Sequence, residues 1–136
     1  MIRWFSLPTV AAVILSAGCT AKLNYSKSVT LPGETSILDA IVLDPQPRAQ
    51  TFKVKVDVTN GSPVDVFVIR TSDFSDRIIG SDADKKKWES TGLGFKRDLK
   101  SDSLTVSIPA NTESTVIIIQ SANARDRTTA TITITN

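Results

Sequence analysis

The amino-acid sequence predicts an all-β protein: an antiparallel β-sandwich of about seven strands, interrupted by one long loop or short-helix insertion. Three observations predict it. Apolar and polar residues alternate with period two in several short segments, as half-buried strands require. Turn residues separate these segments at short intervals. One run, Thr115–Gln120, is apolar on both faces and so belongs in the middle of a sheet.

The elements follow in order. Val29–Leu31 and 37–43 are the weaker strands. Thr51–Thr59 alternates cleanly, with Phe52, Val54, Val56 and Val58 facing the core and Lys53, Lys55 and Asp57 facing water. Asn60-Gly61 is a strong turn signal, because both residues tolerate positive φ. Pro63 then leads the run Val64–Arg70, and the two segments read as antiparallel neighbours with a tight connection. Ser103–Ile108 alternates and stops at Pro109. After a turn over 110–113 comes Thr115–Gln120, then a polar connection over 121–127. Thr129–Thr135 closes the chain, threonines outward and Ala130, Ile132 and Ile134 inward.

Thr71–Asp102 breaks the pattern, with little alternation over its 32 residues. Ser72 is placed to cap a short helix carrying Phe74 and Ile78 at i,i+4 and ended by Gly80. Ser81-Asp82-Ala83-Asp84 resembles a capping box for a second helical turn running through Trp88. Gly92–Arg97 reads as loop. A stretch of this length without strands is often functional.

The first residues have a different character. Met1-Ile2-Arg3 carries one positive charge, Trp4–Leu15 is mostly apolar, and Leu15-Ser16-Ala17-Gly18-Cys19 ends in small residues. That layout is an export signal, with an apolar run too short to span a bilayer permanently. The segment resembles the lipobox of bacterial lipoproteins, with Ser16 in the place where leucine is commonest. The resemblance implies cleavage before Cys19 and lipidation of its thiol. Thr20 in place of aspartate implies sorting to the outer membrane rather than the inner. The expected organisation is a signal over 1–18, a lipid-anchored tether over 19–28 and a sandwich over 29–136. Two or three acyl chains on Cys19 give stable anchoring, at about 0.8 kcal/mol per buried CH₂. An ordinary secretory signal cut nearby is the simpler alternative.

A second resemblance rests on Asn60-Gly61-Ser62-Pro63-Val64-Asp65-Val66-Phe67-Val68-Ile69 within Thr51–Arg70. This block looks like the core of GOLD-type and bacterial pre-peptidase C-terminal-type sandwiches, with Asp73, Phe74 and Asp76 in the following loop. Leu104–Ala110 and Val116–Gln120 resemble the closing strands of that family. Asn111-Thr112-Glu113 stands where the family has a Gly-x-Tyr turn. The likeness extends over 36–136 and implies a non-catalytic adaptor, cargo-binding or accessory domain.

Composition narrows the chemistry. The chain has 136 residues, 40% of them hydrophobic, which suits one domain with one core. Sixteen basic residues stand against 14 acidic ones, and Arg3 belongs to the leader. That is too little excess for a nucleic-acid binder. The absence of histidine removes Ser-His-Asp and Cys-His nucleophile systems and histidine metal sites, and a single cysteine allows no internal disulfide. No cofactor is expected.

Lys85-Lys86-Lys87-Trp88 is the most conspicuous candidate contact, for a membrane surface or an acidic partner. The bland alternative is a solvated loop with its tryptophan tucked onto the sandwich, since Thr71–Asp102 holds seven basic and seven acidic residues. Asp73, Asp76, Asp82 and Asp84 are weak calcium candidates, because clustered carboxylates suit a hard cation. Solvated helix caps account for the same residues, and no metal site is expected. The expected function is a lipid-anchored envelope module that engages a protein partner without catalysis. The alternative is a small protective or hydrolase-inhibiting lipoprotein acting through the 71–102 loop.

Overall fold

The computed structural model describes residues 23–31, 38–74, 81–110, 113–123 and 125–136. The leader, Cys19, Asp76 and Ile78 lie outside them. The described chain runs β1 (Asn24–Leu31), β2 (Leu38–Leu43), β3 (Gln50–Asn60), β4 (Val64–Arg70), a short 3-10 helix (Thr71–Asp73), α1 (Asp82–Thr91), β5 (Gly94–Leu99), β6 (Ser101–Ile108), β7 (Thr115–Ser121) and β8 (Thr128–Thr135). These strands form two four-stranded antiparallel sheets, ordered β1-β8-β3-β6 and β2-β7-β4-β5. The protein is an all-β sandwich, as its alternation predicts.

The main core lies between the sheets. Phe52, Val54 and Val56 of β3 and Ala130, Ile132 and Ile134 of β8 meet Val64, Val66, Val68, Ile117 and Ile119 of the second sheet, and all are buried. The inward sets on β3 and β8 are the predicted ones, and the structure pairs these strands with Val54 opposite Ile134 and Val56 opposite Ile132. The opposite face carries a polar row for each inward one, such as Ser26, Thr133, Lys55 and Ser103 across the four strands. As expected, β7 is central, and every residue from Thr115 to Ser121 is buried.

The structure corrects the reading at three places. Strand β1 begins at Asn24, so 24–28 belong to the sheet rather than to a tether. Their polarity is that of an edge strand: Asn24, Ser26 and Ser28 face water while Lys27 reaches Asp39 at 3.0 Å. Next, β3 and β4 are not a hairpin. Both neighbours of β3 are already taken by β6 and β8, and Gly61–Pro63 carries the chain across to the other sheet. Gly61 sits at φ +95°, and a Cβ there would lie 2.4 Å from the Arg127 carbonyl oxygen, so both backbone and space demand glycine. Third, Gly94–Leu99 is a strand, which makes eight among the described residues. Its side chains are mostly exposed because it is an edge strand paired to β4, so no apolar alternation marks it. The helix expected from Ser72 through Ile78 to Gly80 falls mostly outside the described residues, within which Thr71–Asp73 forms a short 3-10 helix. The short helix is preceded by Arg70 without a side-chain cap, and the Ser72 N–H donates to the Glu113 carboxylate.

The capping box on α1 does form. The Asp84 N–H donates to Ser81 Oγ at 3.2 Å and the Ser81 N–H to Asp84 Oδ2 at 3.1 Å. Among the described residues no helix is long and apolar enough to cross a membrane.

The register makes a direct prediction. Val56→Asp places an unpaired carboxylate in the centre of the core, at a cost of several kcal/mol against a total stability of about 5–15 kcal/mol. It should abolish the cooperative urea transition followed by β-type circular dichroism. Lys53→Ser, one strand face away in water, should shift stability by no more than about 0.5 kcal/mol.

Candidate functional site

The segment predicted to carry function folds over the outer face of the second sheet. That face is apolar. Ala40, Ile118, Phe67 and Ile69 lie on it, joined by Val116, and Trp88 of α1, a helix seated against β4 and β5, packs into the same cluster. Phe74 belongs to the same cluster. Helical spacing decides which side chains of the basic run point inward. Lys85 and Trp88 stand at i,i+3 and share a face. Both are buried, at 8% and 1% exposure, while Lys86 and Lys87 are exposed. The expected four-residue contact surface is therefore split: Lys85 and Trp88 serve the fold, and only Lys86 and Lys87 face water.

Lys85 is held by Asp65. Its Nζ donates to Asp65 Oδ2 at 3.2 Å, and both side chains are almost fully covered. The other carboxylate oxygen, Oδ1, accepts the Asp98 N–H at 3.0 Å. Asp98 stands at φ 60°, a left-handed conformation unusual for a side-chain-bearing residue. One carboxylate thus fastens α1 to β4 and fixes the corner where β5 turns towards β6. Asp65 was legible in one respect: it is the lone charge in the otherwise apolar run Val64–Ile69, and such a residue needs a partner.

Trp88 packs on Phe67 with ring centroids 5.3 Å apart, and Phe67 stacks in turn on Phe95 at 6.3 Å. The Trp88 indole N–H is buried and has no acceptor among the described residues. Phe95 remains 44% exposed, the one large exposed hydrophobic side chain among the described residues. Beside it, the Arg97 guanidinium lies 5.8 Å over the Phe67 ring, and its Nε donates to Glu89 Oε2 at 2.6 Å. The hydrogen bond to Glu89 raises the Arg97 pKa further above its already high value. Phe95, Arg97 and Glu89 escaped the sequence reading because β5 looked like loop. The i,i+2 spacing of Phe95 and Arg97 was the available signal.

The carboxylates singled out for calcium have other occupations. Asp84 closes the capping box, Asp82 sits in the first turn of α1 where the helix dipole favours negative charge, and Asp73 lies in the short 3-10 helix. Asp76 is outside the described residues. Among the described residues no three His, Cys, Asp or Glu side chains come together to hold a metal.

Five variants test these assignments by urea denaturation. Trp88→Ala should cost about 3–5 kcal/mol through the cavity it leaves. Trp88→Phe should cost much less, because the lost N–H has no partner among the described residues. Lys86→Ser with Lys87→Ser should stay within about 0.5 kcal/mol of the parent. For the ion pair, Lys85→Met should destabilise by about 3–5 kcal/mol by stranding the Asp65 charge. Adding Asp65→Asn to Lys85→Met should recover much of that loss, since the amide oxygen still accepts the Asp98 N–H.

Comparison with known protein families and with curated proteins gives no match to this chain.

Proposed function

We propose that this chain is a lipid-anchored envelope lipoprotein whose β-sandwich is a non-catalytic binding or structural module. The observation that carries this reading is the placement of Leu15-Ser16-Ala17-Gly18-Cys19, a lipobox-like segment, four positions before Leu23, a residue of the main core. Cleavage before Cys19 removes an apolar leader and leaves the folded domain next to its lipid. Two or more acyl chains then hold the protein at a membrane without a spanning helix. Thr20 after the cysteine favours the outer membrane.

A binding role is supported by the resemblance of Thr51–Arg70 to GOLD-type and pre-peptidase C-terminal-type sandwiches, which serve mostly as adaptors or accessory domains. The surface left by α1 and β5 suits protein contact. It offers an exposed phenylalanine, Phe95, beside the charged pair Arg97 and Glu89, and Lys86 and Lys87 on the exposed side of the helix. Aromatic residues and arginine are enriched in the buried centres of interfaces.

Cys19→Ala tests the anchor. The parent should partition with membranes and give a mature N-terminus at residue 19 whose mass includes acyl chains. The variant should accumulate as uncleaved precursor or as soluble protein. An unmodified N-terminus at another residue in the parent would sink the lipoprotein reading.

A further inference from the structure

The entry of the chain into the sandwich is pinned to one end of it. The Leu23 N–H donates to Asn136 Oδ1 at 2.5 Å. Asn136 Nδ2 donates to Gln50 Oε1 at 2.6 Å, and Gln50 Nε2 donates to Gln46 Oε1 at 3.2 Å. The buried Gln46 in turn donates to the Asp44 carbonyl at 2.9 Å. This relay of side-chain amides ties the first core residue to the loop between β2 and β3.

The same end holds the start of β1, the end of β8, the start of β3 and the end of β6, since Asn24 pairs with Thr135, Lys53 with Thr135 and Gln50 with Ile108. Exposed side chains at this end include Pro45, Pro47, Arg48, Ala49 and Pro109, together with the polar Asn24, Ser72, Glu113 and Asn136. Its 45–49 loop is short and stiffened by two prolines, with Arg48 as its exposed cation. Glu113, also here, has its pKa held below the usual carboxylate range by the hydrogen bond from the Ser72 backbone N–H. The opposite end is polar and charged. Its described residues include the Gly61–Pro63 crossover, the Asp98–Ser101 corner and the β7–β8 connection with Arg125, Asp126 and Arg127.

Three residues, 20–22, separate Cys19 from Leu23. Fully extended, the four steps from Cys19 to Leu23 span at most about 14 Å. We propose that the end bearing Pro45, Pro47, Arg48 and Pro109 rests on the phospholipid headgroups of the bilayer that holds the Cys19 lipid, with the Arg125–Arg127 end pointing away. The inference depends on the lipid anchor at Cys19. The short tether admits no other end of the sandwich to the surface without unpicking the Leu23–Asn136 bond. It also keeps the contact at an effective concentration of order mM, so a small, weakly binding surface suffices. Prolines add to this by leaving little backbone freedom to lose on contact.

The test uses the full chain, matured and lipidated in cells and reconstituted into phosphatidylcholine vesicles. The Cys19 thiol is consumed by the lipid, so Pro47→Cys and Ala122→Cys, both at exposed loop positions, each supply a unique thiol for a fluorophore. Quenching by headgroup nitroxide lipids should be several-fold stronger at 47 than at 122. Inserting a flexible Gly/Ser linker of about twelve residues between Lys22 and Leu23 should bring the two values together, because a chain of that length reaches either end of the sandwich. Equal quenching without the insertion, or stronger quenching at 122, would overturn the pose. The intact mass of each reconstituted protein separates the two failures. A lipidated protein with equal quenching refutes the pose alone, whereas a protein carrying no lipid refutes the anchor and the pose together.

Discussion

The second sheet is apolar on both of its faces, and most of the architecture answers that constraint. Val64, Val66 and Val68 of β4 turn to the first sheet, while Phe67 and Ile69 of the same strand turn the other way. A sheet of this kind cannot leave one face in water, because burial of apolar area is the dominant favourable term in folding. The chain meets the demand with the segment between β4 and β5. Helix α1 lies on the outer face and delivers Trp88 to Phe67. The Asp65–Lys85 pair then fixes its seating. A buried ion pair contributes little net stability, but a single register satisfies both charges, and here that register also places Trp88.

The first sheet solves a different problem. One face is core and the other is a polar lattice of serine, threonine, lysine and aspartate, so it needs no cover. Its edges are guarded instead. Lys27 of β1 pairs with Asp39 of β2 at 3.0 Å, and Lys96 of β5 pairs with Asp102 of β6 at 2.7 Å, so each lateral opening of the sandwich is bridged by charge. The Lys96 contact draws the Asp102 carboxyl below its ordinary pKa, with help from the Ser103 backbone N–H. Charged edges of this kind oppose the strand-to-strand pairing through which open sheets aggregate. The proposed contact surfaces lie at one end of the sandwich and on α1 and β5, away from the core and the polar lattice.

The candidate site illustrates how a sequence motif dissolves on folding. Lys85-Lys86-Lys87-Trp88 is one feature in one dimension. On a helix, residues 85 and 88 fall on one side and residues 86 and 87 elsewhere, and the side that faces an apolar sheet is taken into the core. The period of 3.6 residues predicts which members separate. It does not say that a sheet waits beneath them. In the same way, Phe95 becomes a neighbour of Phe67 through the pairing of β5 with β4, and Arg97 meets Glu89 of α1 where the helix lies beside β5.

By itself the sequence determined the fold class, the inward sets on β3 and β8, the central place of β7 and the capping box of α1. Each of these is local: alternation, a doubly apolar run, or a serine three residues before an aspartate. Tertiary structure decided the rest. Whether Asn60–Pro63 makes a hairpin or a crossover depends on which strands already flank β3. Gly94–Leu99 becomes a strand because β4 offers it an open edge. The polar start of β1 is strand rather than tether because β8 pairs with it. Asp65 and Lys85, twenty positions apart in the chain, find one another only after the helix has settled on the sheet. Hydrogen-bond partners across a sandwich are fixed by topology, and topology is a property of the whole chain rather than of any segment.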